Sequence, residues 1–261
     1  MPARPSFRAL LSREAPVIGT WAQLPHPEVV EILGGFGFDF AIVDLEHGHF
    51  GLERATDMLR ACDAVGMAGV VRVRDAGQIG AVLDAGASAV VVPAIASRGD
   101  AEGAVAATRY APSGTRGACP CVRAAGQVVG DWARHEEAEP PGAILLVETR
   151  AGLDAIEEIV AVPGAMALML GPFDLSVSLG FRGDWRHEVV QAALSRMREA
   201  AGAAGLPVIC PVFDRDPAVV AAGIATARSQ GVRVFTVGTD KILLAETTRR
   251  WATLSRDAAT G

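Results

Sequence analysis

The chain alternates between short apolar runs and longer alanine-rich segments in which apolar residues recur every three or four positions. Eight runs read as strands: VIGTWA (17–22), FAIVDLE (40–46), GVVRV (69–73), AVVVPAI (89–95), AILLVET (143–149), ALMLG (167–171), PVICPVF (207–213) and VFTVG (234–238). Most are solidly apolar, without alternation, as expected of strands covered on both faces. Helical patterns fall between them, at 26–36, 52–65, 76–86, 100–110, 151–162, 187–205 and 216–231. Asp100 and Asp216 stand where N-caps belong, and Gly86, Gly205 and Gly231 where helices should stop. Eight strands alternating with helices predict an α/β chain folded as one (β/α)8 barrel domain over residues 1–261. A doubly wound open sheet is the alternative, and a weaker one. GTWAQLP, at the first strand's end, has no glycine-rich phosphate loop.

In such a barrel the chemistry gathers at the carboxyl ends of the strands. There the chain places Asp44, Glu46 and His47 after the second strand, Arg72 on the third, Glu148 at the end of the fifth and Asp174 in the GPFDLS turn after the sixth. Each has a structural alternative. Glu148 could complement a helix N-terminus, and Asp174 could cap a short helix starting at Leu175. Asp44 or Glu46 could pair with an arginine, Arg72 with any rim acid, and His47 could be purely structural. Taken together, these alternatives require unrelated decorations from four strands on one rim.

Composition narrows the partners. A net charge of −6 gives no basic footprint for nucleic acid. No apolar stretch approaches the ~18 residues that would span a bilayer, and MPARPSFRALLSREAPV lacks the apolar run of a signal peptide. Four cysteines, Cys62, Cys119, Cys121 and Cys210, are too few for a disulfide framework, so free thiols in a reducing cytoplasm are expected. Cys119–Pro120–Cys121 could instead be a metal or redox pair, although no second Cys/His pair stands nearby in sequence.

These residues carry a resemblance. The runs GTWAQ (19–23), FDFAIVDLEHGHF (38–50), VVRV (70–73), VVPAI (91–95), RYAPSGTRG (109–117), LLVETRAGLDAIEEI (145–159), LGPFDLSVSLG (170–180) and VGTD (237–240) resemble, in order and over nearly the whole chain, the HpcH/HpaI aldolases, the metal-dependent class II pyruvate aldolases. The resemblance implies a TIM barrel, assembled as a homo-oligomer (trimer or hexamer) with an exchanged C-terminal helix. It implies a divalent ion on Glu148 and Asp174, a catalytic His47–Asp44 pair, and an enolate-stabilising Arg72. Two carboxylates suit Mg2+, Mn2+ or Co2+, which keep other positions for water and a chelating 2-oxo acid. The activity implied is cleavage, or formation, of a 4-hydroxy-2-oxo acid to pyruvate and an aldehyde. His47 would act as base, with Asp44 orienting its imidazole. Glu46 would contact a metal-bound water or brace Arg72.

Trp21, Leu146 and Phe173 are expected to contact substrate, and Arg123 to belong to the active-site wall. Leu146 replaces a glutamine common in these aldolases two residues before the metal-binding glutamate. Phe173 replaces a small residue before the aspartate. Both changes would make the pyruvate end of the pocket more apolar or narrower. Lys241 is the chain's only lysine. Schiff-base chemistry would have to use it, and its plain reading is a surface or interface residue. Two other functions compete: an acyl-CoA lyase like the citrate lyase β chain, which the DLEH histidine and the lack of a basic cluster for a CoA diphosphate disfavour, and a non-catalytic barrel.

Overall fold

A computed structural model describes residues 6–128, 132, 135 and 140–260. Eight parallel strands close on themselves in chain order: β1 (Val17–Ala22), β2 (Phe40–Asp44), β3 (Ala68–Arg72), β4 (Ala89–Val92), β5 (Gly142–Val147), β6 (Ala167–Leu170), β7 (Val208–Val212) and β8 (Val234–Thr239). β8 pairs with β1, with a register shift between Gly19 and Trp21. All eight expected strands form, and the fold is the expected (β/α)8 barrel.

Strand periodicity decides which side chains fill the interior. Phe40 and Ile42 on β2, Ala68 and Val70 on β3, Ile144 and Leu146 on β5, and Met169 on β6 form one inner cluster. Alternate residues, such as Ala41, Val43, Val71 and Leu145, form the outer cluster beneath the helices. The inward parity continues to the strand ends, so Asp44, Arg72 and Glu148 stand above the apolar floor on the same face as Ile42, Val70 and Leu146. The bottom is plugged by a short helix that the hydrophobic pattern alone does not reveal, Phe7–Leu11. Its Phe7 is fully buried edge-on against Phe40, ring centroids 4.9 Å apart. A Cβ at Gly19 would collide with the Phe40 ring, so glycine is what lets that plug seat.

Helix ends follow the expected chemistry with informative differences. Asp216 caps the helix Pro217–Ser229 through the Ala218 amide, at 2.8 Å. Asp100 is not a cap: the helix begins two residues earlier, at Arg98. Ser97 accepts from the Asp100 amide while the Asp100 carboxylate accepts from the Ser97 hydroxyl, a reciprocal pair like a capping box. Gly86, Gly205 and Gly231 take φ of +99°, +68° and +85°, as chain-reversing residues after helices do. The segment expected as one helix over 151–162 breaks at Ala155 into Arg150–Asp154 and Ile156–Val160. The last helix, Asp240–Thr260, has Asp240 as its only buried residue, and it carries Leu244, Trp251 and Leu254 exposed. Among the described residues no helix is long and apolar enough to cross a membrane.

Replacing Phe7 with alanine should cost about 3–5 kcal/mol of unfolding free energy, because it removes a fully buried ring from the barrel floor. Urea unfolding followed by tryptophan fluorescence measures it. A loss below about 1 kcal/mol would mean that Phe7 does not close the barrel.

Candidate active site at the carboxyl end of the barrel

The DLEH turn begins with Asp44, which is completely buried. Its Oδ1 accepts the amides of Glu46 (3.1 Å) and His47 (3.2 Å), so the side chain shapes the turn that follows its own strand. The turn closes with the Gly48 amide on the Asp44 carbonyl, where a Cβ at residue 48 would collide with that same oxygen. β2 and β3 are in register with Asp44 opposite Arg72. The guanidinium therefore meets the carboxylate side-on: Nε donates to Oδ1 at 2.9 Å and Nη2 to Oδ2 at 2.6 Å. Nη1 pairs with Glu46 at 3.0 Å, and the guanidinium lies over the Trp21 ring, 4.4 Å from its centroid. Trp21 is held from behind by its indole N–H on Thr236 Oγ1, at 3.2 Å. Gln23 donates its side-chain amide to Asp44 Oδ2 at 2.8 Å. Burial pushes the Asp44 carboxyl up, but Arg72, Gln23 and the turn amides outweigh it and hold the group below the usual aspartate range.

Across the mouth, Glu148 is 8% exposed. Its Oε1 accepts the Ala94 amide at 2.9 Å, from a residue held at φ +55° in the loop after β4. Thr149 caps the next helix through the Gly152 amide, which spares Glu148 from that task. A Cβ at Gly171 would collide with Glu148 Cβ, so the glycine makes room for the glutamate. Burial raises the Glu148 carboxyl to about 7; the charges of Asp174 and Glu46 add to the effect, while the Ala94 amide and Arg72 oppose it. Asp174 is exposed in the first turn of Pro172–Ser178, a helix that starts at Pro172 rather than Leu175. Gly171, not Asp174, occupies the N-cap, so the Asp174 carboxylate is not used as a cap.

The structure thus assembles Asp44, Glu46, Arg72, Glu148 and Asp174 at one mouth, and differs from the expected arrangement in three ways. Asp44 reaches His47 only through the backbone amide. Its oxygens are filled by Arg72 and Gln23, and the imidazole is exposed with Nε2 4.0 Å from Glu46. Arg123 does not stand at this mouth. It donates to the Ala85 carbonyl and pairs with Asp63, both at the C-terminal ends of helices, which in this barrel lie at the opposite end. Leu146, 2% exposed, is packed in the inner cluster one inward step below Glu148, while Phe173 is 57% exposed on the rim with its ring against Gly183. Lys241 is exposed at the start of the last helix, not desolvated as a Schiff-base lysine would be. Cys119 and Cys121 are free and exposed, and no cluster of three or more potential His, Cys, Asp or Glu ligands occurs among the described residues. Sequence reasoning left three contributors without a role: Gln23, Asp240 and the Ala94 amide. The first two lie inside the recognisable GTWAQ and VGTD runs, directly after strand ends, and that position was the available signal.

Over residues 17–251 the chain matches the family model described as HpcH/HpaI aldolase/citrate lyase. The chain belongs to that family. A hydroxypyruvate/pyruvate aldolase of Paraburkholderia phytofirmans is 34% identical, covering 94% of this chain and 95% of its own. A 4-hydroxy-2-oxo-heptane-1,7-dioate aldolase of Salmonella arizonae is 32% identical, over 92% and 90%. The crystal structure of a family protein from Burkholderia cenocepacia superposes with a TM-score of 0.88 at 32% identity, covering 97% of this chain and 99% of the other. Family and relatives together make this HpcH/HpaI chain a carbon–carbon lyase.

Four carboxylates against one guanidinium leave this mouth with excess negative charge. The Glu148 oxygen not bonded to Ala94 has no protein donor among the described bonds. A hard divalent ion fits such a donor set. Without one, the raised Glu148 carboxyl binds a proton more tightly in the folded chain than in the unfolded chain, whose ordinary value is 4.5. Its contribution to stability is therefore present below 4.5 and lost as pH rises through about 7. In EDTA, the melting temperature of the wild type should fall more steeply between about pH 5 and pH 8 than that of Glu148→Gln. Mn2+ should restore the wild type alone. Parallel profiles, with no response to the ion, would remove Glu148 from cation binding.

Proposed function

We propose that this family member cleaves 4-hydroxy-2-oxo acids to pyruvate and an aldehyde, with a divalent ion as cofactor. The observation that carries the proposal is the guanidinium of Arg72, immobilised by two carboxylates beside a buried, unneutralised Glu148. The names of the two aldolase relatives agree with a 2-oxo acid substrate.

Glu148 and Asp174 are the residues that would hold the ion, which when bound supplies electrophilic stabilisation of negative charge on the substrate's 2-oxo oxygen. Arg72 has five N–H groups; Nε–H and one on Nη2 are hydrogen-bonded to Asp44, while Nη1 stands 3.0 Å from Glu46 in an ion pair. The outer N–H groups of Nη1 and Nη2 offer a fork suited to the carboxylate or enolate oxygen of a bound 2-oxo acid. His47, exposed at the rim, takes the proton from the C4 hydroxyl. The C3–C4 bond then breaks, the aldehyde leaves, and the electron pair moves onto the 2-oxo group as an enolate. Returning the proton to C3 releases pyruvate. Glu46 lies between Arg72 and His47 and is placed to stabilise the imidazolium, the part first assigned to Asp44. Trp21 supports the guanidinium from below, Leu146 makes the floor under Glu148 apolar, and Phe173 sits on the rim where the aldehyde half would enter.

The bare apolar face of the last helix, with Leu244, Trp251 and Leu254 exposed, supports assembly with further copies through that helix. The acyl-CoA reading is less favoured, since four carboxylates stand at the mouth.

Pyruvate release, coupled to lactate dehydrogenase, should vanish in EDTA and return with Mg2+, Mn2+ or Co2+ across a panel of 4-hydroxy-2-oxo acids. His47→Ala should lose about 100-fold or more in kcat, as loss of a general base does. Metal-independent release, or full activity in His47→Ala, would defeat the corresponding part of the mechanism.

A further inference from the structure

The strongest feature left over by the mechanism is a chain of hydrogen bonds running from the far side of the barrel seam to Arg72. Asp240 follows β8 directly and is 3% exposed. Its Oδ2 accepts the backbone amides of Gln23 (2.8 Å) and Leu24 (2.7 Å), and its Oδ1 accepts that of Lys241 (2.7 Å). A buried carboxylate spent on three backbone amides is costly to desolvate, and what it fixes is the loop that leaves β1. Gln23 is the first residue of that loop. Its side chain reaches into the mouth and donates to Asp44 Oδ2, the same oxygen that accepts Arg72 Nη2. Oδ1 already carries Arg72 Nε and two turn amides, so Gln23 completes the donor shell of Asp44.

We propose that Gln23 and Asp240 are positioning residues for the reaction: Asp240 pins the loop after β1, and Gln23 holds the Oδ2 edge of the Asp44 carboxylate and, through it, the outer N–H groups of Arg72. Without Gln23, Oδ2 keeps Arg72 Nη2 as its one donor while Oδ1 keeps three, so the Oδ2 edge of the carboxylate and the guanidinium bonded to it can shift together. With Gln23 in place the fork that faces substrate has one orientation. Neither residue touches the reacting atoms. Part of the rate readout rests on the aldolase reading, so the test carries a binding arm that does not.

The test uses Mn2+-loaded wild type, Gln23→Leu, Asp240→Asn, Arg72→Ala and the double variant Gln23→Leu/Arg72→Ala. It measures kcat and KM for pyruvate release, together with calorimetric affinity for oxalate, a planar dianion shaped like the enolate. Gln23→Leu leaves a buried acceptor one donor short, so it should lower kcat and oxalate affinity about ten-fold, with a native circular dichroism spectrum. In the Arg72→Ala background the same substitution should cost a smaller factor than in the wild type, because the group it positions is gone. Asp240→Asn should change both quantities in the same direction as Gln23→Leu. Should Asp240→Asn fail to fold, the Gln23 cycle alone decides.

Wild-type values in Gln23→Leu, or the same fold-loss with and without Arg72, would overturn the proposal in favour of a general structural role. If no oxo acid yields pyruvate while oxalate binds, the aldolase reading fails and the relay is judged by the affinity cycle. Wild type that does not bind oxalate overturns the relay outright.

Discussion

The side-on pair between Asp44 and Arg72 is the contact on which the rest of the mouth depends. Removing Arg72 would leave the Asp44 charge uncompensated in a completely buried position, a far larger penalty than the loss of a surface ion pair. The pair exists because β2 and β3 are in register and both residues have inward parity. A slip of one residue would turn both into the helix layer. Asp44 also shapes the DLEH turn, so one carboxylate fixes the arginine, the direction of Glu46 and the place of His47. A single aspartate therefore sets both the Arg72 guanidinium and the turn that carries His47.

The opposite wall is built on the contrary principle. Where Asp44 is saturated with donors and held low, Glu148 is buried with one amide and like charges nearby, and burial above all holds it high. Two carboxylates at similar depth in one mouth thus have opposite electrostatic tasks. One is neutralised by the protein itself. The other is left for something the protein does not supply, a cation or a proton. That separation, more than the number of acids, is what gives the mouth a direction: a guanidinium already paired on the Arg72 side, uncompensated carboxylates on the side of Glu148 and Asp174.

Much of this was legible in the chain. Solid apolar runs separated by helical periodicity identify the eight strands, and position at a strand end identifies Asp44, Arg72, Glu148 and Asp174. The partners were not legible, because pairing is decided across strands rather than along them. The family resemblance implied that Asp44 serves His47, three residues on. Register gives its oxygens to Arg72, 28 residues on, and to Gln23, 21 residues back. The same blindness put Arg123 on the wrong end of the barrel. The chain passes it after a loop of unspecified course, and only the contacts with Asp63 and Ala85 show which rim it joins. The bottom plug escaped notice because five residues are too few to show a helical period, although Phe7 is among the most buried side chains.

Closing the barrel sets the order in which these parts can form. β1 and β8 are the most distant strands in sequence, and Asp240 joins them at the mouth by holding the amides of Gln23 and Leu24. Such long-range pairing gains its contacts only after most of the chain is in place. Arg72 and Asp44, on adjacent strands, can meet earlier, but their carboxylate lacks its last donor until Gln23 arrives with the closing seam. The setting of the Arg72 guanidinium is thereby coupled to closure of the whole barrel: an incompletely closed chain would contain Asp44, Arg72 and Glu148, with the Asp44 carboxylate still short of its Gln23 donor.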